Sequence, residues 1–345
     1  MIKKAIHNQL PSFLVNNTPL IDVRSPAEFH KGHIPGSTNI PIFNNEERKI
    51  IGTLYKQQGR EQALLHGLDL VGPKMSQFVT QAKQLDQGQG IAVHCWRGGM
   101  RSESMALLWK MAGMKVSVLQ GGYKAYRQQI HEDFAKPFKL LIVSGKTGSG
   151  KTDILKALQN QGEQIIDLEG IANHKGSSFG SLGQDPQPTV EQFENDFHHA
   201  LSQLDHEKRI WIEDESHSIG QVYIPLPFWH QMKASPALVV EIPQKIRIER
   251  LIKEYAEFPP ELLQNAVERL KKRLGGKNVK EAIAALDQKN FSLGTEIALN
   301  YYDKAYLHHL KQRAESQIHR FVIPEDYPEK TATKLINYCQ QHLPS

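Results

Sequence analysis

Two short segments of this chain carry residue types whose spacing suits chemistry on anions. The first, Cys95-Trp96-Arg97-Gly98-Gly99-Met100-Arg101-Ser102, follows the apolar run Ile91-Ala92-Val93, so one thiol sits at the mouth of a strand. Adjacent glycines let backbone N–H groups turn inward as an anion-binding nest, and Arg97 and Arg101 add fixed positive charge. Both effects favour thiolate over thiol, which makes Cys95 a candidate nucleophile; the competing reading is an inert buried thiol. The other cysteine, Cys339, lies in a helical C-terminal setting and reads as a bystander. Two cysteines suggest neither a disulfide framework nor a four-ligand zinc site.

The second segment, Gly145-Lys146-Thr147-Gly148-Ser149-Gly150-Lys151-Thr152, fits the P-loop pattern in full, with Leu140 to Val143 before it as a strand and Ile154 to Leu158 after it as a helix. Backbone N–H groups of such a loop cradle a diphosphate, Lys151 reaches its outer oxygens, and Thr152 could hold a magnesium ion. The strand Arg209-Ile210-Trp211-Ile212 ends in Glu213-Asp214-Glu215. Glu213 or Asp214 is the candidate magnesium-positioning acid, against a plain solvated strand end. Asp167 to Gly170, His174 and the run from Gly176 to Gly183 could form a mobile substrate loop, in which His174 alone reads as a surface residue.

The elements that must position these loops follow from the apolar pattern. Leu20 to Phe29 and Gly32 to Pro41 read as a strand, a capped helical turn and a Gly/Pro-rich return to a second strand. The charged, aromatic stretch Arg127 to Phe138 reads as a linker. Leu262, Leu263, Ala266, Val267, Leu270 and Leu274 form a helical stripe; Tyr301, Tyr302 and Tyr306 fit core filling better than base stacking. Phe321 to Pro324 reads as a last strand and Lys330 to Gln341 as a closing helix. The expected fold is α/β, with one domain over 1–136 and a P-loop α/β domain over 137–345 whose basic helical C-terminal part begins near 245.

With 42 basic and 37 acidic residues the chain carries a formal charge of +5. Lys245 to Lys280 alone holds ten basic against five acidic residues. Arg247, Arg250, Lys253, Arg269, Lys271, Lys272, Arg273 and Lys277 are therefore candidates for following a phosphate backbone, the alternative being a solubilising helix face. No apolar run approaches membrane-spanning length, and Met1 to Asn8 has no long apolar stretch, which together with a free thiol predicts a cytoplasmic protein.

The Cys95 loop, with Leu20 to Phe29, Gly32 to Pro41 and Val116 to Tyr123, closely resembles a rhodanese domain, a sulfurtransferase module. One departure is that five residues separate Cys95 from Arg101, one more than in many single-domain rhodaneses. The wider cradle looks like phosphatase loops, so a phosphate-monoester hydrolase stays open at this point. The order of a rhodanese-like module, a P-loop and a basic helical end resembles the tRNA 2-selenouridine synthases. That resemblance implies a transferase acting on the wobble 2-thiouridine of tRNAs reading lysine, glutamate and glutamine codons, with tRNA as partner. It implies S-geranylation from geranyl diphosphate, then replacement by selenium from selenophosphate, with a selenophosphate-supplying enzyme as a further partner. On this reading Cys95, Arg101 and Arg97 hold selenophosphate, Cys95 taking selenium as a selenylsulfide or the loop presenting selenophosphate directly, and the P-loop holds the geranyl diphosphate. The alternative is a nucleotide-regulated sulfurtransferase relaying sulfur to a partner protein.

Overall fold

A computed structural model describes residues 18–343, so the reading of Met1 to Asn8 lies outside the described residues. The chain divides into two units that meet between Asp133 and Phe134.

In the first unit, β1 (Leu20–Asp22), β2 (Thr38–Asn39), β3 (Ile91–His94) and β4 (Val116–Val118) form a parallel sheet in the order β2-β1-β3-β4. Alternate strand residues share a face, so Ile21, Val23, Ile91 and Val93 pack one side of the sheet onto Phe78, Met105 and Trp109, while Leu20 and Ala92 are buried on the other side. The Trp109 indole N–H donates to the Phe78 carbonyl at 3.0 Å, so this ring is buried without an unpaired donor. Ser25 caps the helix Pro26–Lys31, and Glu28 completes the reciprocal capping box.

The linker expected over Arg127 to Phe138 is instead largely helix. Gly122–Asp133 is helical because Tyr123, Tyr126 and Ile130 recur at three- and four-residue spacing and are all buried. Phe134, 1 % exposed, belongs to the second unit, where its ring meets Phe197 and Phe228.

The second unit is built on a five-stranded parallel sheet of β5 (Leu140–Gly145), β6 (Gln164–Ile166), β7 (Ile210–Glu213), β10 (Ala237–Glu241) and β11 (Ile318–Val322), with a short hairpin of β8 (Ser218–Ile219) and β9 (Val222–Tyr223). Its order is β11-β10-β5-β7-β6. The chain leaves β5 for β6, returns to β7, and later adds β10 on the other side, so the crevice outside β5 is a topological switch point where ligands of such sheets bind. Helices Lys151–Asn160 and Pro328–His342 cover one face through Leu155, Leu158, Leu335 and Cys339. Cys339 is fully buried and burial pushes its thiol up to about 12, which agrees with a packing role.

Beyond the sheet, helices Pro260–Glu268, Lys271–Leu274, Gly276–Asp287 and Phe291–Leu310 share a core that includes Leu263, Val267, Leu270, Leu274 and Leu286. Tyr301 and Tyr302 pack against it, in line with the core-filling reading. No helix among the described residues is long and apolar enough to cross a membrane.

The Cys95 loop rests on the turn after β4. Tyr123 N–H donates to the Cys95 carbonyl at 2.9 Å. Gly122 has φ +59°, and a Cβ there would lie 2.4 Å from both the Cys95 carbonyl oxygen and the Gly98 nitrogen. Gly122→Ala should therefore destabilise the first unit by about 2 kcal/mol or more and slow alkylation of Cys95. Denaturant unfolding and thiol labelling check this; an unchanged midpoint and labelling rate would contradict it.

Candidate functional site

Cys95 follows the carboxyl end of β3 and precedes the helix Met100–Met111, and the amides of Arg97 and Ser102 reach its sulfur. Its sulfur lies 3.3 Å from Ser102 Oγ, and Ser102 Oγ is 3.0 Å from the Gly99 carbonyl. Burial works against the thiolate. The Ser102 hydroxyl, the N–H groups of Arg97 and Ser102 and the Arg101 charge more than offset it, so the thiol ionises below its ordinary range. Arg97 and Trp96 are exposed at the loop's outer side.

Arg101 donates from both terminal nitrogens to Glu28, at 2.8 and 3.3 Å. Glu28 is half-buried; although burial raises it, Arg101, the Ser25 amide and Arg48 hold its carboxyl below the usual range. Arg101 is thus anchored beside the loop by the capping residue of another helix. Sequence reasoning gave no role to Glu28 or to the Ser102 hydroxyl. The signals were the Ser25-x-x-Glu28 capping box and the position of Ser102 directly after Arg101.

Behind this loop, Arg24 is fully buried, pairs with Asp22 at 2.6 Å, donates to the Gly32 carbonyl and stacks 3.8 Å from the Tyr123 ring centroid. His94 is also buried; burial brings it down to about 4, so it is neutral at pH 7.

The P-loop connects β5 to the helix Lys151–Asn160, with Gly148 at φ +80° and Gly150 at φ +74°. These left-handed turns aim backbone N–H groups into the loop. The Ser149 hydroxyl is buried with no protein partner. Burial opposes the Lys151 ammonium, but Glu215, Glu169, Glu213 and Asp214 hold its pKa above the ordinary value. Thr152 Oγ1 donates to Glu169 at 3.2 Å, and the Glu169 N–H donates to Glu213 Oε1 at 2.8 Å.

Of the two acids named from sequence, Asp214 is occupied elsewhere. It accepts from Ser144 at 2.7 Å and pairs with Lys233 at 3.2 Å and Arg313 at 2.9 Å. Burial alone would raise it, yet these cations hold it at about 2. Glu213 is fully buried with Oε2 unpartnered, and burial together with Asp167 and Glu169 pushes it well above the carboxylate range. Glu215 is raised as well, by burial and by Glu169 beside it. Glu169 and Glu215 were not assigned from sequence; Glu169 lies in the segment read as a substrate loop.

That segment is packed. Ser178 N–H donates to Tyr302 at 2.8 Å and Ser178 Oγ to the Ala266 carbonyl at 2.7 Å, while Lys175 pairs with Glu254. His174, read as a surface residue, is 9 % exposed with Nδ1 unpartnered, because Gly180 folds over its ring.

The basic candidates separate into two groups. Arg247 is buried, pairs with Asp303 at 2.8 Å and donates to the Thr147 carbonyl at 3.0 Å. Arg250 pairs with Asp326 and Asp153 and lies against Gly150. Both therefore brace the P-loop rather than offer a charged surface, a correction that follows from the helix Gln244–Tyr255 packing on the loop. Lys253, Arg269, Lys271, Lys272, Arg273 and Lys277 are exposed. Among these, Arg269 donates to the Ser178 carbonyl and Arg273 to the Tyr301 hydroxyl.

Comparison with known proteins matches these two units to two families. Residues 138–325 match the tRNA 2-selenouridine synthase AAA domain family, and residues 7–129 the rhodanese-like domain family. A tRNA 2-selenouridine synthase of Shewanella denitrificans is 35 % identical over 89 % of this chain and 92 % of its own. Those of Sulfurovum sp. and Shewanella sediminis are 35 % and 38 % identical, over 90 % and 76 % of this chain and 93 % and 76 % of theirs.

The thiolate geometry gives a direct test. Ser102→Ala removes the hydroxyl donor, so the Cys95 ionisation should move upward and iodoacetamide labelling at pH 7 should slow about threefold or more, converging with wild type at high pH. A pH–rate profile identical to wild type would show that Ser102 does not stabilise the sulfur.

Proposed function

Because the chain belongs to the tRNA 2-selenouridine synthase family, we propose that it runs two chemical steps on a wobble 2-thiouridine, one at each loop. The observation that carries this reading is the pair of anion cradles at carboxyl ends of parallel strands. One holds a thiol of lowered pKa, the other a half-buried lysine whose charge its acidic neighbours favour.

In the first step the thiouridine sulfur attacks C1 of geranyl diphosphate. The C–O bond breaks with its electron pair on the departing diphosphate, and the N3 proton goes to solvent. P-loop amides, the Ser149 hydroxyl and Lys151 bind the diphosphate and stabilise its growing charge. A magnesium ion needs only one or two protein ligands besides phosphate oxygens and waters, and Thr152 with Glu169 or the unpartnered Glu213 Oε2 fits that requirement. It would supply further neutralisation of the leaving group.

In the second step selenophosphate lies with its phosphate in the Cys95 loop, facing the loop amides and Arg101, with Arg97 at the rim. A selenylsulfide on Cys95 would require a two-electron oxidant that selenophosphate does not provide. The balanced route has selenium attack C2 and expel geranylthiolate, which leaves selenium bridging C2 and phosphorus. Cys95 thiolate then takes the phosphoryl group, the electron pair of the Se–P bond returns to the selenocarbonyl, N3 regains its proton, and water releases phosphate from the cysteine. The wide five-residue spacer suits a tetrahedral phosphoryl group.

The tRNA substrates on this reading are those reading lysine, glutamate and glutamine codons. Their phosphates would be met by Lys253, Arg269, Lys271, Lys272, Arg273 and Lys277, with an affinity that falls as salt rises. A selenophosphate-supplying enzyme would serve the Cys95 loop, in the cytoplasm.

Two variants separate the steps. Lys151→Ala should lower S-geranylation about a hundredfold and still convert S-geranylated tRNA when given selenophosphate. Cys95→Ala should geranylate normally and fail to form selenouridine. Nucleoside mass spectrometry reads both. Full selenation by Cys95→Ala, or nucleoside triphosphate binding lost in Lys151→Ala with geranylation intact, would overturn the assignment and favour a nucleotide-regulated sulfurtransferase.

A further inference from the structure

We infer that the Cys95 loop has a further activity, the hydrolysis of phosphate monoesters of good leaving groups, aryl phosphates above all, through a phosphocysteine. The inference rests on the phosphoryl transfer to Cys95 in the proposed second step, but it needs neither tRNA nor selenium.

The loop is shaped to surround a tetrahedral oxyanion. The carbonyls of Cys95 and Trp96 accept from the Tyr123 and Lys124 amides, both at 2.9 Å, and so point away from the cradle. Gly98, at φ +68°, reverses the backbone without a side chain. The helix Met100–Met111 begins within the loop, and the amides of its first turn have no acceptor inside the helix. Arg101 presents both terminal nitrogens to the Glu28 carboxylate, the two-pronged geometry with which a guanidinium takes two oxygens of a phosphoryl group.

One hydroxyl serves both halves of the reaction. Ser102 Oγ lies 3.0 Å from the Gly99 carbonyl and 3.3 Å from the Cys95 sulfur, so its proton can turn to sulfur whenever sulfur is negative. First the Cys95 thiolate attacks phosphorus, and the P–O bond breaks with its electron pair on the aryl oxide. Water then attacks phosphorus and gives a proton to solvent, while the P–S bond breaks with its pair on sulfur. The Ser102 hydroxyl lowers the basicity of that departing thiolate. Although burial raises Glu28, Arg101, the Ser25 amide and Arg48 hold it below the usual range, so at pH 7 it has no proton for the first leaving group. Aryl oxides depart without one, whereas alkoxides do not.

The leaving group also has room. A groove of about 800 Å³ opens at Met100 and Arg101, within the range of small-molecule sites. Ile51, Leu64 and Leu68 line it and suit an aromatic ring, and Arg48 in the same wall suits the charge that develops on the aryl oxygen.

The test is turnover of p-nitrophenyl phosphate and glycerol phosphate by the full chain, beside Cys95→Ala and Ser102→Ala prepared identically. Wild type should hydrolyse p-nitrophenyl phosphate at least about a hundredfold faster than glycerol phosphate, the margin that a missing general acid leaves, and Cys95→Ala should lose the activity. Ser102→Ala should release a burst of p-nitrophenolate and accumulate phosphocysteine, read by intact-protein mass spectrometry after acid quench; a merely structural defect gives no burst. Hydrolysis that survives in Cys95→Ala, or a wild type that neither turns over p-nitrophenyl phosphate nor forms phosphocysteine, would overturn the inference. Selenation of S-geranylated tRNA by the same preparations separates the two readings. Selenation without aryl phosphate hydrolysis sinks this inference alone, and aryl phosphate hydrolysis without selenation supports it while the proposed second step falls.

Discussion

Peptide N–H groups left without partners where a parallel strand turns into a helix are the constraint on which both sites depend. In each unit a glycine in left-handed backbone makes the turn: Gly98 and Gly122 around the thiol, Gly148 and Gly150 in the P-loop. Side chains at these positions would collide with backbone or with bracing residues, so loop shape is set by what must not be there. The rest of each unit holds this geometry still. Asp22, Arg24 and Tyr123 lock the strand ends behind Cys95, while Arg247 and Asp303 lock the P-loop from outside. A buried pair of this kind adds little net stability but leaves a costly unpaired charge if broken, which suits a positioning role.

Each cradle sets its cation beside acidic side chains. Glu28 holds Arg101, and Glu169, Glu213 and Glu215 surround Lys151. An incoming anion must compete with these groups, which favours multiply charged ligands such as a diphosphate or selenophosphate over a lone chloride. The suppressed ionisation of Glu213 and Glu215 shows the cost of crowding acids in a buried site near Lys151, and a divalent cation would relieve it.

The parts of this arrangement that depend on local pattern were legible in the sequence. The Cys95 loop, the P-loop, the apolar strands before them and the stripe Leu263, Ala266, Val267, Leu270 and Leu274 each declare themselves within a few residues, whereas Leu262, read into the same stripe, is exposed. What was not legible required partners distant in sequence. Arg247 has the look of a surface base until Asp303 and Thr147 fold against it. Asp214 has the look of a metal-positioning acid until Lys233 and Arg313 surround it. The stretch after Arg127 was misread because its charges drew attention from Tyr123, Tyr126 and Ile130, which set the helical period. His174 was misread because one histidine in a glycine-rich run gives no sign of burial.

On the proposed reading one chain carries both steps, with the alkylated base as a true intermediate. The most direct test is to incubate the wild-type protein with 2-thiouridine tRNA and geranyl diphosphate, isolate the tRNA, and supply fresh protein with selenophosphate alone. S-geranyl-2-thiouridine should form in the first stage and convert stoichiometrically to 2-selenouridine and geranylthiol in the second. Selenouridine formed from 2-thiouridine without the geranyl donor, or S-geranylated tRNA inert to selenophosphate, would contradict it.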